Sequence, residues 1–309
     1  MVLVDTVAGH ADLRSDGVMT QMSYEQSIAF IDGESVLAEC GPMRLVIRAW
    51  EGDNPQTDLI REAADKSFTY LERIAGFRSE LSRPFRDIKV EPQDDLAMEM
   101  VNSAGIIGDH DLTPLAAVAG TIADAVANWL FEQGATKVIV DNGGDIAVRL
   151  AKGETVKVGI RPNIRSSTIS HVFRLDSRMQ SWGVTTSGFG GRSFTRGIAS
   201  AVTALAASAS FADSASTAIA NACFVEDENI QQLPAELIDP NTDLSGVPVT
   251  VKVGQLTRAQ LLAAYDKALH RAEDLVARGV ILGSLIGQGN LFSMTSSLKT
   301  FICRRVPKV

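Results

Sequence analysis

The sequence lacks the cysteine pairs of disulfide-linked proteins and the common motifs of hydrolytic enzymes. Its three cysteines, Cys40, Cys223 and Cys303, are far apart and form no CxxC pair, which argues against a disulfide framework and a thiolate metal site. No HExxH or GxSxG motif occurs, and no histidine lies between His171 and His270. Hydrolysis by a zinc centre or by a nucleophilic serine is therefore not expected.

Positive charge is also scarce. A net charge of −8 and a pI near 5.1 argue against nucleic acid or an anionic membrane as the main partner. The longest apolar region, Leu115 to Phe131, is interrupted by Thr121, Asp124 and Asn128, so it predicts a core helix rather than a membrane span. The N-terminus has no basic start followed by an apolar core. We expect a cytoplasmic protein, with a homodimer as one option for its oligomeric state.

The composition that remains is ordinary for a globular protein. Hydrophobic residues make up 45% of the 309 residues and charged residues 21%, which predicts a substantial core. Hairpin signals alternate with long amphipathic helices and not with regular βαβ crossovers. This pattern predicts one α+β domain of mostly antiparallel sheets flanked by helices. We expect a loose leader over residues 1–22, the domain over 23–292 and a fraying tail over 293–309.

In the first half of the chain, apolar spacing, turn residues and helix caps predict five elements. They are a hairpin with a type I′ turn at Asp32-Gly33, a half-exposed strand over Met43–Trp50, a helix from Asn54-Pro55 to Gly76, a helix over 94–104 and a helix from Thr113-Pro114 to Gly134. Arg78 belongs to a basic connector between two of these helices, and the connector is either solvated or forms a lip that meets an anion.

In the second half, β-branched alternation predicts strands and Ala-rich spacing predicts helices. The predicted strands are 136–141, 146–150, 156–161, 171–175, 183–187, 247–254 and 280–286. A helix is predicted over 211–221. Another is predicted from a capping box at Thr257 and Gln260 to Arg278-Gly279.

Asp213 and Thr217 are the first candidate site. They lie four residues apart in a run of Ala, Ser and Thr, so on a helix their side chains share one face. A carboxylate beside a hydroxyl suits a magnesium ion that takes further ligands from substrate phosphates. The alternative is structural, because an acid near a helix start favours the helix dipole and threonine is common in such helices.

Two glycine-rich segments are further candidates. Asn142, Gly143, Gly144 and Asp145 predict a tight hairpin turn, and their bare backbone would also let a ligand approach closely. A second segment follows a predicted strand and offers hydroxyls, backbone N–H groups and a guanidinium to a phosphate. Its candidate residues are Thr185, Thr186, Ser187, Gly188 and Arg192.

Three motifs occur in the order found in the ApbE-like flavin transferase superfamily. They are VIVDNGGDIAV, GVTTSG and FADSASTAIANA. The preceding run LTPLAAVAGTIADAV resembles a short, uncharacterised branch of that superfamily. The resemblance implies a magnesium site formed by Asp213, Thr217 and the carbonyl of Ala116, with Asp213 as the catalytic residue. It also implies that the two glycine-rich segments bind FAD.

The chain departs from the superfamily at two points. Ala119 stands where flavin transferases carry a lysine, and the histidine-rich segment that follows the TSG motif is missing. Three classes of function therefore stay open. The first transfers FMN from FAD to a protein acceptor, or hydrolyses FAD to FMN and AMP. The second binds flavin nucleotide beside a redox or sulfur-assimilation partner without catalysis. The third is a scaffold without a ligand.

Overall fold

The computed structural model describes residues 24–89, 92–161, 169–191, 193–288 and 291–305. The predicted leader over 1–22 and the candidate Arg192 lie outside these ranges. The helices are α1 (Thr57–Ala75), α2 (Arg78–Leu81), α3 (Asp95–Ile107), α4 (Val118–Glu132), α5 (Ala209–Ala222) and α6 (Arg258–Ala277).

The strands form one large sheet and two small ones. They are β1 (Gln26–Asp32), β2 (Ser35–Cys40), β3 (Met43–Glu51), β4 (Asn54–Pro55), β5 (Lys137–Asn142), β6 (Asp145–Leu150), β7 (Thr155–Ile160), β8 (His171–Asp176), β9 (Ser181–Ser187), β10 (Ala201–Ala206), β11 (Ile230–Pro234), β12 (Pro248–Val253), β13 (Gly283–Gln288), β14 (Leu291–Met294) and β15 (Ile302–Arg305). The large sheet runs β1-β2-β3-β5-β6-β9-β10-β13-β14, with β4 beside β3.

The strand pairings that the structure records are antiparallel. Strands β11 and β12 form a separate ribbon, and β15-β8-β7 form a three-stranded sheet. The predicted α+β fold with mostly antiparallel sheets and flanking helices is confirmed.

The domain has three layers because residues along the central strands alternate between two cores. Val138 and Val140 of β5 pack with α1, α3 and α4, whereas Ile139 points to the opposite core. That opposite core lies against the three-stranded sheet and contains Trp182 and Phe173, both fully buried. A further cluster joins α5 and α6 to β10 and β13. The large sheet is therefore covered by helices on one face and by a small sheet on the other.

Among the described residues, the predicted core helix is the one segment with the length and apolar composition of a membrane span. Residues Pro114–Glu132 are long and apolar enough to cross a bilayer, yet 56% of this span is buried inside the protein. It starts with a 3₁₀ turn over Pro114–Ala117 before α4 begins. The Thr113 hydroxyl does not cap the helix, since it donates a hydrogen bond to Asp243 at 2.8 Å.

Several local expectations need correction. The Asp32-Gly33 hairpin forms, but Gly33 lies outside the left-handed region, so the turn is not type I′. Instead, Asp32 accepts hydrogen bonds from the Glu34 N–H and the Ser35 hydroxyl. The run Ala201–Ala206 is a strand that the sequence analysis did not identify. The predicted tail does not fray over its described part, because β14 pairs with β13 and β15 pairs with β8.

Candidate functional site

Helix α5 carries the main candidate residues and is held by contacts between backbones. A Cβ added to Gly183 would lie 2.1 Å from the Ser208 carbonyl oxygen, and one on Gly120 would lie 2.2 Å from that of Ala209. At the other end, a Cβ on Gly197 would lie 1.8 Å from the Ala220 carbonyl oxygen. Only glycine permits such close approach. Three separate segments therefore fix the position of α5.

A buried ion pair also fixes the start of α5. Arg149 Nη2 on β6 donates to Asp124 Oδ1 on α4 at 2.7 Å, and Asp124 Oδ2 accepts from the Ser210 N–H at 2.9 Å. The Arg149 Nε donates to Asn128 Oδ1 at 2.7 Å. Asp124 thus connects a strand, a helix and the first turn of α5 through one carboxylate.

Asp213 lies on the buried side of α5 and faces the start of α4. Its Oδ2 accepts a hydrogen bond of 2.9 Å from the Gly120 N–H, one of the N–H groups that a helix start leaves without an internal partner. Burial raises the pKa of Asp213 well above its usual range, and the charge of Asp145 raises it further, while the N–H groups of Gly120 and Ala119 act in the opposite direction. The site therefore contains an acid whose ionised form would gain from a nearby cation.

Thr217 and Ala116 open onto the same cleft as Asp213 and Asp145. The cleft has a volume of about 1670 Å³, which exceeds the roughly 300–1,000 Å³ of an ordinary small-molecule pocket. Within the described chain, the Thr217 hydroxyl has no hydrogen-bond partner recorded. The structure thus brings all three predicted metal ligands, and one predicted nucleotide ligand, to a single cavity.

These donors suit a hard cation. They are carboxylate, hydroxyl and carbonyl oxygens, which magnesium prefers, and magnesium commonly keeps waters or substrate phosphates in its remaining positions. The described residues contain no group of three or more His, Cys, Asp and Glu side chains placed to hold a metal. Asp213, Thr217 and Ala116 thus fit a magnesium ion that a phosphate ligand helps to bind. Their role as metal ligands stays a prediction.

The Asn142–Asp145 turn is built as its sequence predicts. Gly143 and Gly144 have φ values of 67° and 109°, as a two-residue type I′ turn requires. Asn142 accepts from the Arg44 N–H and donates to the Ala119 carbonyl, both at 3.2 Å. Of these four residues, Asp145 lines the cleft. The turn therefore has a clear structural role, and flavin binding by each of its four residues stays a prediction.

The end of β9 is more buried than a phosphate-binding loop would require. The Thr185 hydroxyl is 3.4 Å from that of Ser216, and the Thr186 hydroxyl is 2.9 Å from that of Thr203. The Thr186 N–H donates to Asp145 Oδ1 at 3.3 Å. The Ser187 hydroxyl is buried without a recorded partner. Gly188 packs against Ala199 and Ser200 with φ at 146°. Phosphate binding by this segment stays a prediction.

The cleft contains residues that the sequence analysis did not select. Asn221 lies one helical turn beyond Thr217, and its Oδ1 accepts from the Thr195 hydroxyl at 2.9 Å and from the Arg196 N–H at 3.0 Å. The Arg196 guanidinium pairs with Asp111, which lies in the loop between α3 and the 3₁₀ turn that precedes α4. The spacing of 213, 217 and 221 could have revealed Asn221, whereas no local pattern indicated the contact between Arg196 and Asp111.

The cleft has two walls and an apolar end. We call Ala116, Ala119, Asp213, Thr217 and Asn221 the inner wall, and Asp109, Asp111, Arg196, Asn241 and Asp243 the outer wall. We call Leu71, Ile74, Leu115 and Val118 the apolar end, because these lining residues belong to one hydrophobic cluster. A ligand that combines an apolar ring system with charged groups would match this mixed lining.

Comparison with known proteins gives one family and a set of relatives. The model of the family described as AbpE bacteria matches residues 28–293. A UPF0280 protein of Methanocaldococcus jannaschii is 35% identical over 191 residues, which cover 60% of this chain and 76% of that protein. A UPF0280 protein of Methanococcus aeolicus is 34% identical over 138 residues, covering 44% of this chain and 55% of the relative. The chain thus spans about half of this second relative.

Two solved structures are also similar. The flavinyl transferase ApbE of Pseudomonas stutzeri, in its apo form, shows 15% identity and a TM-score of 0.46, with 93% of this chain and 100% of that chain covered. The flavin transferase ApbE of Vibrio cholerae shows 12% identity and a TM-score of 0.40, with 90% and 99% covered.

Proposed function

Because the chain belongs to the AbpE bacteria family and is related to the UPF0280 proteins, we propose that it is a magnesium-dependent protein that binds the flavin nucleotide FAD. The observation that carries the proposal is the convergence of Ala116, Asp213, Thr217 and Asp145 on one cleft. These residues come from separate motifs that the sequence analysis associated with a flavin nucleotide. The size and the apolar end of the cleft support a dinucleotide ligand.

The chain's own groups have distinct tasks in this proposal. The Gly120 N–H orients the Asp213 carboxylate, which keeps further lone pairs for a cation. The Thr217 hydroxyl, one helical turn away, supplies a second oxygen. A bound magnesium ion would supply Lewis-acid neutralisation of the diphosphate charge. The inner wall is rigid because α5 is fixed from three sides, so these oxygens are in place before the ligand arrives.

The proposed reaction is transfer of the FMN part of FAD. The oxygen of an acceptor hydroxyl bonds to the FMN phosphorus, the bond from that phosphorus to the AMP phosphate breaks, AMP leaves, and the hydroxyl proton is lost to solvent. A protein threonine as acceptor gives an FMN ester. Water as acceptor gives free FMN.

The second candidate is a non-catalytic flavin-binding protein that works beside a redox or sulfur-assimilation partner. The specific observation in its favour is Ala119, which provides no side-chain amine at a point on the inner wall where the resemblance predicts a lysine. A cytoplasmic location and a homodimeric state also remain predictions.

The test is AMP release from FAD, measured with and without magnesium. We expect the wild type to release AMP only with magnesium, and Asp213→Asn to lower the rate by about 100-fold or more, since it removes a carboxylate that would act at the developing charge. Asp239→Asn, which removes another carboxylate of the cleft, serves as the matched control and should retain the rate. Tight FAD binding without AMP release supports the non-catalytic candidate, and no FAD binding contradicts both.

A further inference from the structure

Arg196 enters the cleft from a segment whose main chain is fixed independently of its side chain. The Arg196 N–H donates to Asn221 Oδ1 at 3.0 Å. Its carbonyl oxygen accepts from Gln232 Nε2 at 2.9 Å and from the Thr250 hydroxyl at 2.8 Å. The guanidinium takes no part in these bonds. Replacement of the side chain should therefore leave the backbone of this segment in place.

The position of Arg196 relates it directly to the inner wall. Asn221 follows Thr217 by one turn of α5, as Thr217 follows Asp213. The neighbouring Gly197 lies against the Ala220 carbonyl, where an added Cβ would be 1.8 Å away. Arg196 thus lies at the end of the helix face that carries the predicted metal ligands.

The Arg196 guanidinium can bind a ligand in the cleft, because the carboxylate that it pairs with also lies in the cleft and can be displaced there. It pairs with Asp111, and the two side chains are 35% and 28% exposed. Both residues line the cavity. Phosphate presents paired oxygens to a guanidinium much as a carboxylate does, so one can replace the other on the same donors.

The charge balance of the cleft makes this exchange important for an anionic ligand. Among the residues that the structure describes, seven carboxylates line the cavity, namely Glu72, Asp109, Asp111, Asp145, Asp213, Asp239 and Asp243. Within the described ranges, the arginines on the lining are Arg78 and Arg196. The Arg78 guanidinium donates to the Asn241 carbonyl on the outer wall, whereas the Arg196 N–H donates to Asn221 on α5. Arg196 is therefore the better placed of the two to meet a phosphate beside the inner wall.

We propose that Arg196 binds a phosphate group of the ligand, and that Asp111 is an internal competitor that holds the guanidinium until the ligand displaces it. The inference rests on the proposed function only in taking the ligand to carry phosphate. It adds a specificity role for this pair, by which a phosphorylated ligand is distinguished from its unphosphorylated counterpart.

The experiment is calorimetric titration of the full chain, in magnesium, with FAD, ADP and riboflavin. We expect Arg196→Gln to weaken FAD and ADP binding by about tenfold or more, with Arg196→Lys intermediate and riboflavin unaffected, because only the phosphate contact is lost. Arg78→Gln removes the same charge from the same cleft and should change ADP binding by about twofold at most.

Asp111 gives the sharper test. If it competes with the ligand, Asp111→Asn should tighten ADP binding about threefold, and that gain should vanish in the Arg196→Gln background. Glu72→Gln, which also removes a carboxylate from the cleft, controls for general electrostatics and should show a smaller gain that survives in that background.

The outcomes separate the two proposals. FAD binding that is unchanged by Arg196→Gln, or ADP binding that Asp111→Asn weakens, overturns this inference and leaves the proposed function standing. Failure of the wild type to bind FAD and ADP overturns both proposals. Equal losses for riboflavin and ADP in Arg196→Gln would show that the variant damages the cleft as a whole, which also contradicts a specific phosphate contact.

Discussion

The two walls of the cleft are held together in different ways. The inner wall is positioned by main-chain atoms, with Gly120, Gly183 and Gly197 pressed against carbonyl oxygens at both ends of α5. The outer wall is held by side-chain contacts. Arg196 forms an ion pair with Asp111, Arg271 forms one with Asp109, and the Thr113 hydroxyl donates a hydrogen bond to Asp243. Close backbone contacts cannot adjust without moving a whole element, whereas partly exposed ion pairs can change partners at little cost.

This difference assigns the two walls different roles. The inner wall is set when the protein folds and presents oxygens in a fixed arrangement. The outer wall carries the charges that can respond to a ligand. Substitutions should therefore separate into a group that mainly changes stability and a group that mainly changes binding.

The largest effect is expected where a methyl group would collide with a backbone. Gly120→Ala should destabilise the protein by about 4 kcal/mol or more, because the new Cβ has no space beside the Ala209 carbonyl. Gly33→Ala is the matched control, since a Cβ there meets nothing within 4 Å and Gly33 is outside the left-handed region. Urea unfolding measures both variants. If the two variants had similar free energies of unfolding, close backbone contacts would not be what positions the inner wall.

The second effect concerns the buried ion pair behind α5. Arg149→Met should destabilise the protein by about 3 kcal/mol, because it leaves Asp124 buried without its cation. The control is Arg178→Met, which breaks an exposed pair with Asp176 and should change the stability far less. Thermal unfolding at matched pH distinguishes the two. An equally mild result for Arg149 would mean that the start of α5 is held by the glycine contacts alone.

The smallest effect on stability is expected at the outer wall. Arg196→Gln should change the free energy of unfolding by less than about 1 kcal/mol, because the ion pair with Asp111 is partly exposed and the backbone bonds of Arg196 remain. Urea unfolding of this variant, beside its ligand affinities, would sharpen the comparison. A loss as large as that of Gly120→Ala would show that the outer wall is also part of the fixed framework.

Much of the fold followed from local patterns. The alternation of Met43–Trp50 gave a strand whose Leu45 and Ile47 are buried, and the capping box of Thr257 and Gln260 formed as predicted. Gly143 and Gly144 both adopted the positive φ that their turn requires. These features depend on residues close in sequence, so single-sequence reasoning could reach them.

Other features depend on distant partners. Ala201–Ala206 has a composition with little strand preference, and it becomes a strand because it pairs with β9 on one side and β13 on the other. Thr113 does not act as a helix cap because its hydroxyl donates a hydrogen bond to Asp243, which is distant in the sequence. Gly33 does not adopt the left-handed conformation, because the hydrogen bonds of the Asp32 carboxylate stabilise a different turn.

The candidate site also has residues that the sequence could predict and residues that depend on distant partners. Asp213 and Thr217 share a helix face by spacing alone, and the resemblance to flavin transferases predicted that Asp145 and Ala116 belong to the same site, whose cleft all four residues line. Arg196 and Asp111 could not be paired from the sequence, since 85 residues separate them. Sequence patterns thus located the inner wall apart from Asn221, and the folded chain was needed to find the outer wall.

The main-chain contacts of α5 have a practical consequence for redesign. A library that varies Gly120, Gly183 and Gly197 would mostly yield chains that cannot fold, because any added Cβ meets a backbone carbonyl at an end of α5. A library confined to positions 109–111 and 241–243 would keep the scaffold intact while altering the charge that an incoming molecule meets. New ligand preferences should therefore be sought in those loops.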